Sequence, residues 1–257
     1  MKLAILGGAG RMGKMLLDCA LEMKLNVVAV TEVPESPLIG QSAGKGLPDY
    51  STVWPTEADT IIDFTFHTCV KENMANAQTH HQAYVLGTTG LTDEELAAVN
   101  SAAQTIPICF APNFSLGINL LLELVRQAAS VLDESYDAEI VEMHHRHKKD
   151  APSGTALGLA QALAEGRKIN LDDATCYGRH GIVGERPVGE IGIHALRGGS
   201  VVGDHTVLFA ADEERIEITH KASSRAAFAK GALKAGLWLQ GRPAGRYDMR
   251  DVLGFHA

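Results

Sequence analysis

The stretch Glu142-Met-His-His-Arg-His-Lys-Lys-Asp-Ala-Pro-Ser-Gly-Thr155 sets three imidazoles and two ammonium groups beside a proline-punctuated Ser-Gly-Thr turn, where a helix can begin. Helix N-termini attract anions, and histidine moves protons near neutral pH. Three readings compete for these residues. Three histidines offer metal ligands, but His144, His145 and His147 on one short segment diverge, no cysteine or carboxylate spacing accompanies them, and Lys148 and Lys149 oppose a cation. A solvated basic loop is the reading any charge run allows. An anion site uses more of the residues: Arg146, Lys148 and Lys149 supply charge, Ser153, Gly154 and Thr155 supply backbone N–H groups, and Pro152 fixes the turn that presents them. Such a doubled donor site suits a dicarboxylate, with histidine and lysine at hand to pass protons. Nucleophilic catalysis has no elbow motif or cysteine here, and Ser153 reads as a helix cap.

A second chemical feature opens the chain. Leu6-Gly-Gly-Ala-Gly-Arg-Met-Gly13 lies between a strand pattern and a helix pattern, the context a dinucleotide-binding loop needs. Counting from Gly7 breaks the G-x-G-x-x-G pattern at Ala9, whereas Gly8, Gly10 and Gly13 fit it. Glu32, at the end of the second strand pattern, can accept hydrogen bonds from ribose hydroxyls. Val33 after it brings no charge for a 2′-phosphate and Glu35 repels one, which favours NADH over NADPH. Gly87-Thr-Thr-Gly90 and Ala111-Pro-Asn-Phe114 each follow a strand pattern, and their backbone and hydroxyl groups can hold the nicotinamide ribose and carboxamide if they share an edge with the glycine loop.

Composition bounds the setting. With 257 residues, 46% of them apolar, the chain can bury one large core or two modest ones. Its 31 acidic and 23 basic residues give a net charge of −8, so any anion site is local and general attraction to nucleic acid or anionic membrane is not expected. Cys19, Cys69, Cys109 and Cys176 lie far apart, against a zinc ribbon or disulfide framework. No segment approaches the roughly 20 apolar residues of a membrane span, and a cytoplasmic location is expected.

The elements that must position this chemistry follow from periodicity. The first 115 or so residues alternate strands (2–6, 26–31, 60–64, 83–86 and 107–111) with helices, the signature of a parallel sheet. Met12, Leu16, Ala20 and Met23 share one helix face, and Thr92 with Glu95 has capping-box spacing. Beyond Gly117 a helix over 118–132, a strand over 138–144 and a helix over 154–164 are expected. Residues 191–197, 201–210 and 215–221 then read as an antiparallel meander turning at Gly198-Gly199. A last helix, 226–239, has two possible homes that periodicity does not separate.

Gly-Arg-Met-Gly at 10–13, Gly-Thr-Thr-Gly at 87–90, Ala-Pro-Asn-Phe-Ser at 111–115, the block 142–156 and Thr-His-Lys-Ala-Ser-Ser-Arg at 219–225 together resemble the 4-hydroxy-tetrahydrodipicolinate (dihydrodipicolinate) reductase family over essentially the whole length. The central block is the most specific of these motifs. The resemblance implies a Rossmann-like nucleotide domain, residues 1–115 with 226–257, and an α+β substrate and oligomerisation domain, 116–225, with a mixed or antiparallel sheet. It implies that Gly7, Gly8, Ala9, Gly10, Arg11, Met12, Glu32, Gly87, Thr88, Thr89, Ala111, Pro112, Asn113 and Phe114 bind NADH or NADPH. His145, Lys148, Ser153, Gly154 and Thr155 would bind substrate, with His144 catalytic as proton donor or acceptor and Lys148 as proton donor. It further implies a homotetramer built from the substrate-domain sheets and a role in lysine biosynthesis through diaminopimelate, with no metal. Val33 stands where family members often carry a base. Other readings are a different NAD(P)-dependent dehydrogenase of amino-acid type and a non-catalytic dinucleotide sensor.

Overall fold

The computed structural model describes residues 1–255. The chain forms two compact units, one of Met1–Leu116 joined by the segment from Arg225 onward, the other Gly117–Ser224. No helix among the described residues is long and apolar enough to cross a membrane.

The first unit holds β1 (Lys2–Leu6), α1 (Arg11–Glu22), β2 (Asn26–Thr31), β3 (Tyr50–Ser51), β4 (Thr60–Asp63), α2 (Val70–Thr79), β5 (Ala83–Leu86), α3 (Asp93–Ala102) and β6 (Pro107–Phe110). The strands form a parallel sheet in the order β12-β6-β5-β4-β1-β2-β3, the edge strand β12 (Gly245–Tyr247) arriving late in the chain. Such a sheet is covered on both faces, so its strands read as continuous apolar runs. Leu3 and Ile5 of β1 enter one core cluster with Leu16 and Ala20 of α1 and Leu233 of the late helix α7 (Ala226–Trp238), while Ala4 and Leu6 enter another with Met74 of α2 and Val99 of α3. Met12 and Met23 pack against the first cluster, as the periodicity predicts. Thr92 and Glu95 close the capping box that opens α3.

The second unit holds α4 (Leu116–Val131), β7 (Asp137–His144), α5 (Gly154–Arg167), α6 (Leu171–Ala174), β8 (Thr175–Cys176), β9 (Ile191–Arg197), β10 (Gly203–Ala210) and β11 (Arg215–Ala222). A short α8 (Met249–Leu253) ends the described chain in the first unit. The second sheet has the order β11-β10-β7-β9-β8. This corrects the meander expected from residues 191–222. β9 and β10 do not pair with each other across Gly198-Gly199; β7 lies between them, parallel to β9 and antiparallel to β10. A glycine pair is a local hairpin signal, but β7, whose alternate residues are buried, satisfies both of its edges only as a central strand. Apolar residues of α4 and α5 cover Ala138 and Ile140 of β7, Ile193 of β9 and Phe209 of β10.

Candidate active site

In the first unit, the chain runs from β1 to one side of the sheet and then returns to the other with β4, so the strand order reverses at β1. Open parallel sheets bind ligands at the carboxyl ends of the strands beside such a reversal. The glycine loop occupies that position. Gly7 has φ +69°, and the N–H groups of Gly7 and Gly8 donate to the Thr31 carbonyl at 2.9 and 3.1 Å. A Cβ on Gly8 would come 2.1 Å from Val30 Cγ1, and one on Gly13 would come 2.2 Å from the Gly7 carbonyl oxygen. The backbone therefore demands glycine at 7, 8 and 13, whereas Gly10, the N-cap of α1, has an ordinary extended conformation. No side chain caps α1 and no acid stands in its first turn, which keeps its positive end available to an anion. Glu32 Oε1 accepts the Ala9 N–H at 2.7 Å, so the carboxylate lies against the loop where a ribose acceptor belongs.

The other two turns share this edge. A Cβ on Gly87 would come 2.3 Å from the Phe64 ring, which in turn meets Phe114 edge-on with centroids 5.6 Å apart. Phe114 itself is buried, and α7 presses so closely on its carbonyl that Gly231 has no room for a side chain. Asp63, the buried last residue of β4, ties the edge together. It accepts from the Thr65 N–H at 2.7 Å, from the Thr65 hydroxyl at 2.6 Å and from the Tyr84 hydroxyl at 2.6 Å, and its Oδ1 lies 3.5 Å from Thr88 Oγ1. Sequence reasoning overlooked Asp63 and the 64–66 turn, where Phe66 is 76% exposed. An acid closing a fully buried strand was the available signal.

In the second unit, period-two alternation puts Ala138, Ile140, Glu142 and His144 on the face of β7 that is buried. That face is apolar until Glu142 and His144, which meet the start of α5. Strand register brings the rest: Arg197 of β9 lies opposite His144, and His205 of β10 lies opposite Glu142. His144 Nδ1 is 2.6 Å from Glu142 Oε2; Arg197 donates to both Glu142 oxygens at 2.8 and 2.9 Å; the Ser153 N–H donates to Oε1 at 3.0 Å. Burial alone raises a carboxyl pKa, but these donors outweigh it and hold Glu142 below its usual range. Ser153 Oγ caps α5 by accepting the Ala156 N–H and lies 3.1 Å from His205 Nε2.

Two details differ from the expectation. The Ser153 N–H is spent on Glu142 and so is not offered to a ligand, whereas the space before Gly154 is open, with nothing within 4 Å of an added Cβ. Of the three cations, Arg146 and Lys149 are exposed, and Lys148, its side chain 20% exposed, pairs with Asp150 at 2.9 Å. His145 is half-buried with its ring 6.2 Å from that of His147, and Thr155 sits in the first turn of α5. Among the described residues no group of three or more metal-ligating side chains converges. Arg197 and His205 were missed because they come from strands 53 and 61 positions beyond His144, and only register reveals them.

Burial first, and the neighbouring His144 second, hold the His205 imidazole well below its ordinary value, at about 4. Its Nδ1 is buried without a hydrogen-bond partner, so protonation would bury an unpaired cation. The unfolded chain binds this proton near 6.5 and the folded chain only near 4, so stability present above 6.5 is lost as the pH falls towards 4. The loss amounts to at most about 3 kcal/mol. Melting temperatures followed from pH 7.5 to 4.5 should fall more steeply for the wild-type chain than for His205→Gln; parallel curves would contradict this assignment.

Known proteins match this chain along its length. Residues 1–114 match the family model for the dihydrodipicolinate reductase N-terminus, and residues 117–253 match that for its C-terminus. The 4-hydroxy-tetrahydrodipicolinate reductases of Pseudomonas fluorescens and Burkholderia lata are 47% and 48% identical to it, each alignment covering 99% of both chains. That of Akkermansia muciniphila is 47% identical over 97% of this chain and 96% of its own. Among solved structures, the dipicolinate-bound dihydrodipicolinate reductase from Paenisporosarcina sp. TG-14 superposes with a TM-score of 0.79 at 25% identity, covering 96% of this chain and 97% of that one. A probable dehydrogenase from Thermotoga maritima shares the fold, with a TM-score of 0.61 at 10% identity, and covers 100% of this chain and 95% of that one. With family models spanning both units and near full-length relatives close to half identical, this chain belongs to the dihydrodipicolinate reductase family.

Proposed function

We propose that this protein reduces 4-hydroxy-tetrahydrodipicolinate to tetrahydrodipicolinate in the diaminopimelate route to lysine. The balance is one substrate, one NAD(P)H and one proton giving product, NAD(P)⁺ and water. The observation that carries this reading is the His144–Glu142–Arg197 constellation beside the start of α5, in a chain that carries both halves of the reductase family.

The first unit fits a dinucleotide: its glycine loop packs so tightly on β2 and α1 that a Cβ at 8 or 13 would collide with Val30 or the Gly7 carbonyl, and α1 presents an uncapped N-terminus. Gly7, Gly8, Ala9, Gly10, Arg11 and Met12 would receive the pyrophosphate, Glu32 the ribose, and the 87–89 and 111–114 turns the nicotinamide end. The bound cofactor supplies a hydride from its C4. In the second unit His145, Lys148, Gly154 and Thr155 hold the carboxylates of a cyclic dicarboxylate, with Ser153 fixing the helix start. Neutralising those carboxylates makes the ring a better hydride acceptor. Lys148 and His144 deliver the proton, Lys148 being the more exposed of the two. A non-catalytic sensor has no use for that proton machinery.

The reading includes the homotetramer and cytoplasmic location that the family resemblance and the composition imply. It also favours NADH: Glu32 lies against the glycine loop, and the residue after it is the exposed, uncharged Val33. Steady-state kinetics should give a markedly lower KM for NADH than for NADPH; equal values would remove this preference. The function itself is tested by cofactor oxidation with freshly generated substrate.

A further inference from the structure

Glu142 is fully buried and accepts hydrogen bonds on both oxygens from Arg197, His144 and Ser153. A carboxylate so placed is an acceptor, so the His144 nitrogen facing it carries the hydrogen. That fixes Nδ1–H and leaves Nε2 as the atom free to exchange a proton. A second observation concerns Nε2 itself. It lies against Gly203, where an added Cβ would approach to 2.9 Å, so glycine keeps heavy atoms away from that nitrogen. Arg197 reaches further, its Nη2 also donating to the Asp150 carbonyl at 2.6 Å, while the Asp150 carboxylate pairs with Lys148. One guanidinium thus joins the strand that carries His144 to the loop that carries Lys148.

We propose that Glu142 and Arg197 are positioning residues for proton delivery, Glu142 by fixing the Nδ1–H tautomer of His144 and Arg197 by holding the Lys148 loop in register with it. The assignment rests on the reductase reading for its kinetic consequences, though not for the tautomer. The charged and titratable groups around His144 are Glu142 on its own strand, Arg197 on β9, His205 on β10 with its ring 5.1 Å away, and Lys148 and Asp150 on the following loop. His220 on β11 lies opposite His205.

In the full-length enzyme, Glu142→Gln should lower kcat roughly 10²-fold and leave the KM for NADH within about twofold, the pattern of a lost supporting group. Arg197→Met should lose a comparable factor, and Arg197→Lys should recover part of it. Nitrogen-15 spectra of histidine-labelled protein should show His144 as Nδ1–H in the wild type and as a tautomer mixture in Glu142→Gln. If a single variant fails to fold because one buried charge is stranded, the double variant Glu142→Gln/Arg197→Met removes both charges and is read by the same kinetics. Wild-type kcat in a folded variant, or Nε2–H at His144 in the wild type, overturns the proposal. A wild-type protein with the Nδ1–H tautomer but no turnover rejects the reductase reading and leaves the tautomer assignment standing.

Discussion

Lys148→Ala is expected to lower kcat by about 10²-fold or more while NADH binding stays nearly intact, the scale of a lost general acid. Lys148 pairs with Asp150 within the second unit, and the glycine loop belongs to the first. The partner left behind, Asp150, has its side chain 61% exposed, so removing Lys148 strands no buried charge and the variant should fold. Lys148→Arg separates charge from proton transfer: arginine keeps the cation that holds a carboxylate but does not release its proton near neutral pH. Its KM for substrate should stay closer to wild type than that of Lys148→Ala, with kcat still low. Unchanged turnover in Lys148→Ala would remove Lys148 from the mechanism.

The second large effect falls on the glycine loop. In Gly13→Ala the new methyl group meets the Gly7 carbonyl oxygen at 2.2 Å and the Gly8 Cα at 2.6 Å. Both are backbone atoms, so α1 must move away from the strand end it packs on. Overpacking of this kind costs about 1–3 kcal/mol. Displacement of the helix start should weaken NADH binding at least tenfold, which corresponds to about 1.4 kcal/mol. Fluorescence titration with NADH and a melting curve measure the two losses. Wild-type affinity in a folded Gly13→Ala protein would mean that the loop does not hold the dinucleotide.

The parts of the molecule legible in the sequence are those whose signals are local and repeated. Strands β1, β2 and β5 begin and end where the residues predict because each is a dense apolar run, and β9 does so because it stops at Gly198-Gly199. The Thr92 capping box is likewise written within four residues. β8 and β12, of two and three residues, are too short for periodicity and exist because β9 and β6 offer them an edge. α2 shows one sparse buried stripe, Val70, Met74 and Ala77, among polar residues. The order of the second sheet was misread because nothing near Gly198 announces that β7, some fifty residues earlier, lies between β9 and β10.

The candidate site divides the same way. His144, His145, Lys148 and Ser153 crowd into one segment and draw attention by type and spacing. The groups that govern them do not. Glu142 looks like any acid in an alternating strand until its register with Arg197 and His205 is known, and Asp63 looks like a strand end until Thr65, Tyr84 and Thr88 are seen to share it. Buried polar groups need partners, and those partners come from distant sequence.

The most direct test of the function is NADH oxidation, followed by its absorbance, on adding freshly generated 4-hydroxy-tetrahydrodipicolinate to the purified protein. Oxidation should depend on that substrate, be stoichiometric with it, and be inhibited by pyridine-2,6-dicarboxylate. A folded preparation that binds NADH yet leaves it unoxidised in the presence of substrate would contradict this function.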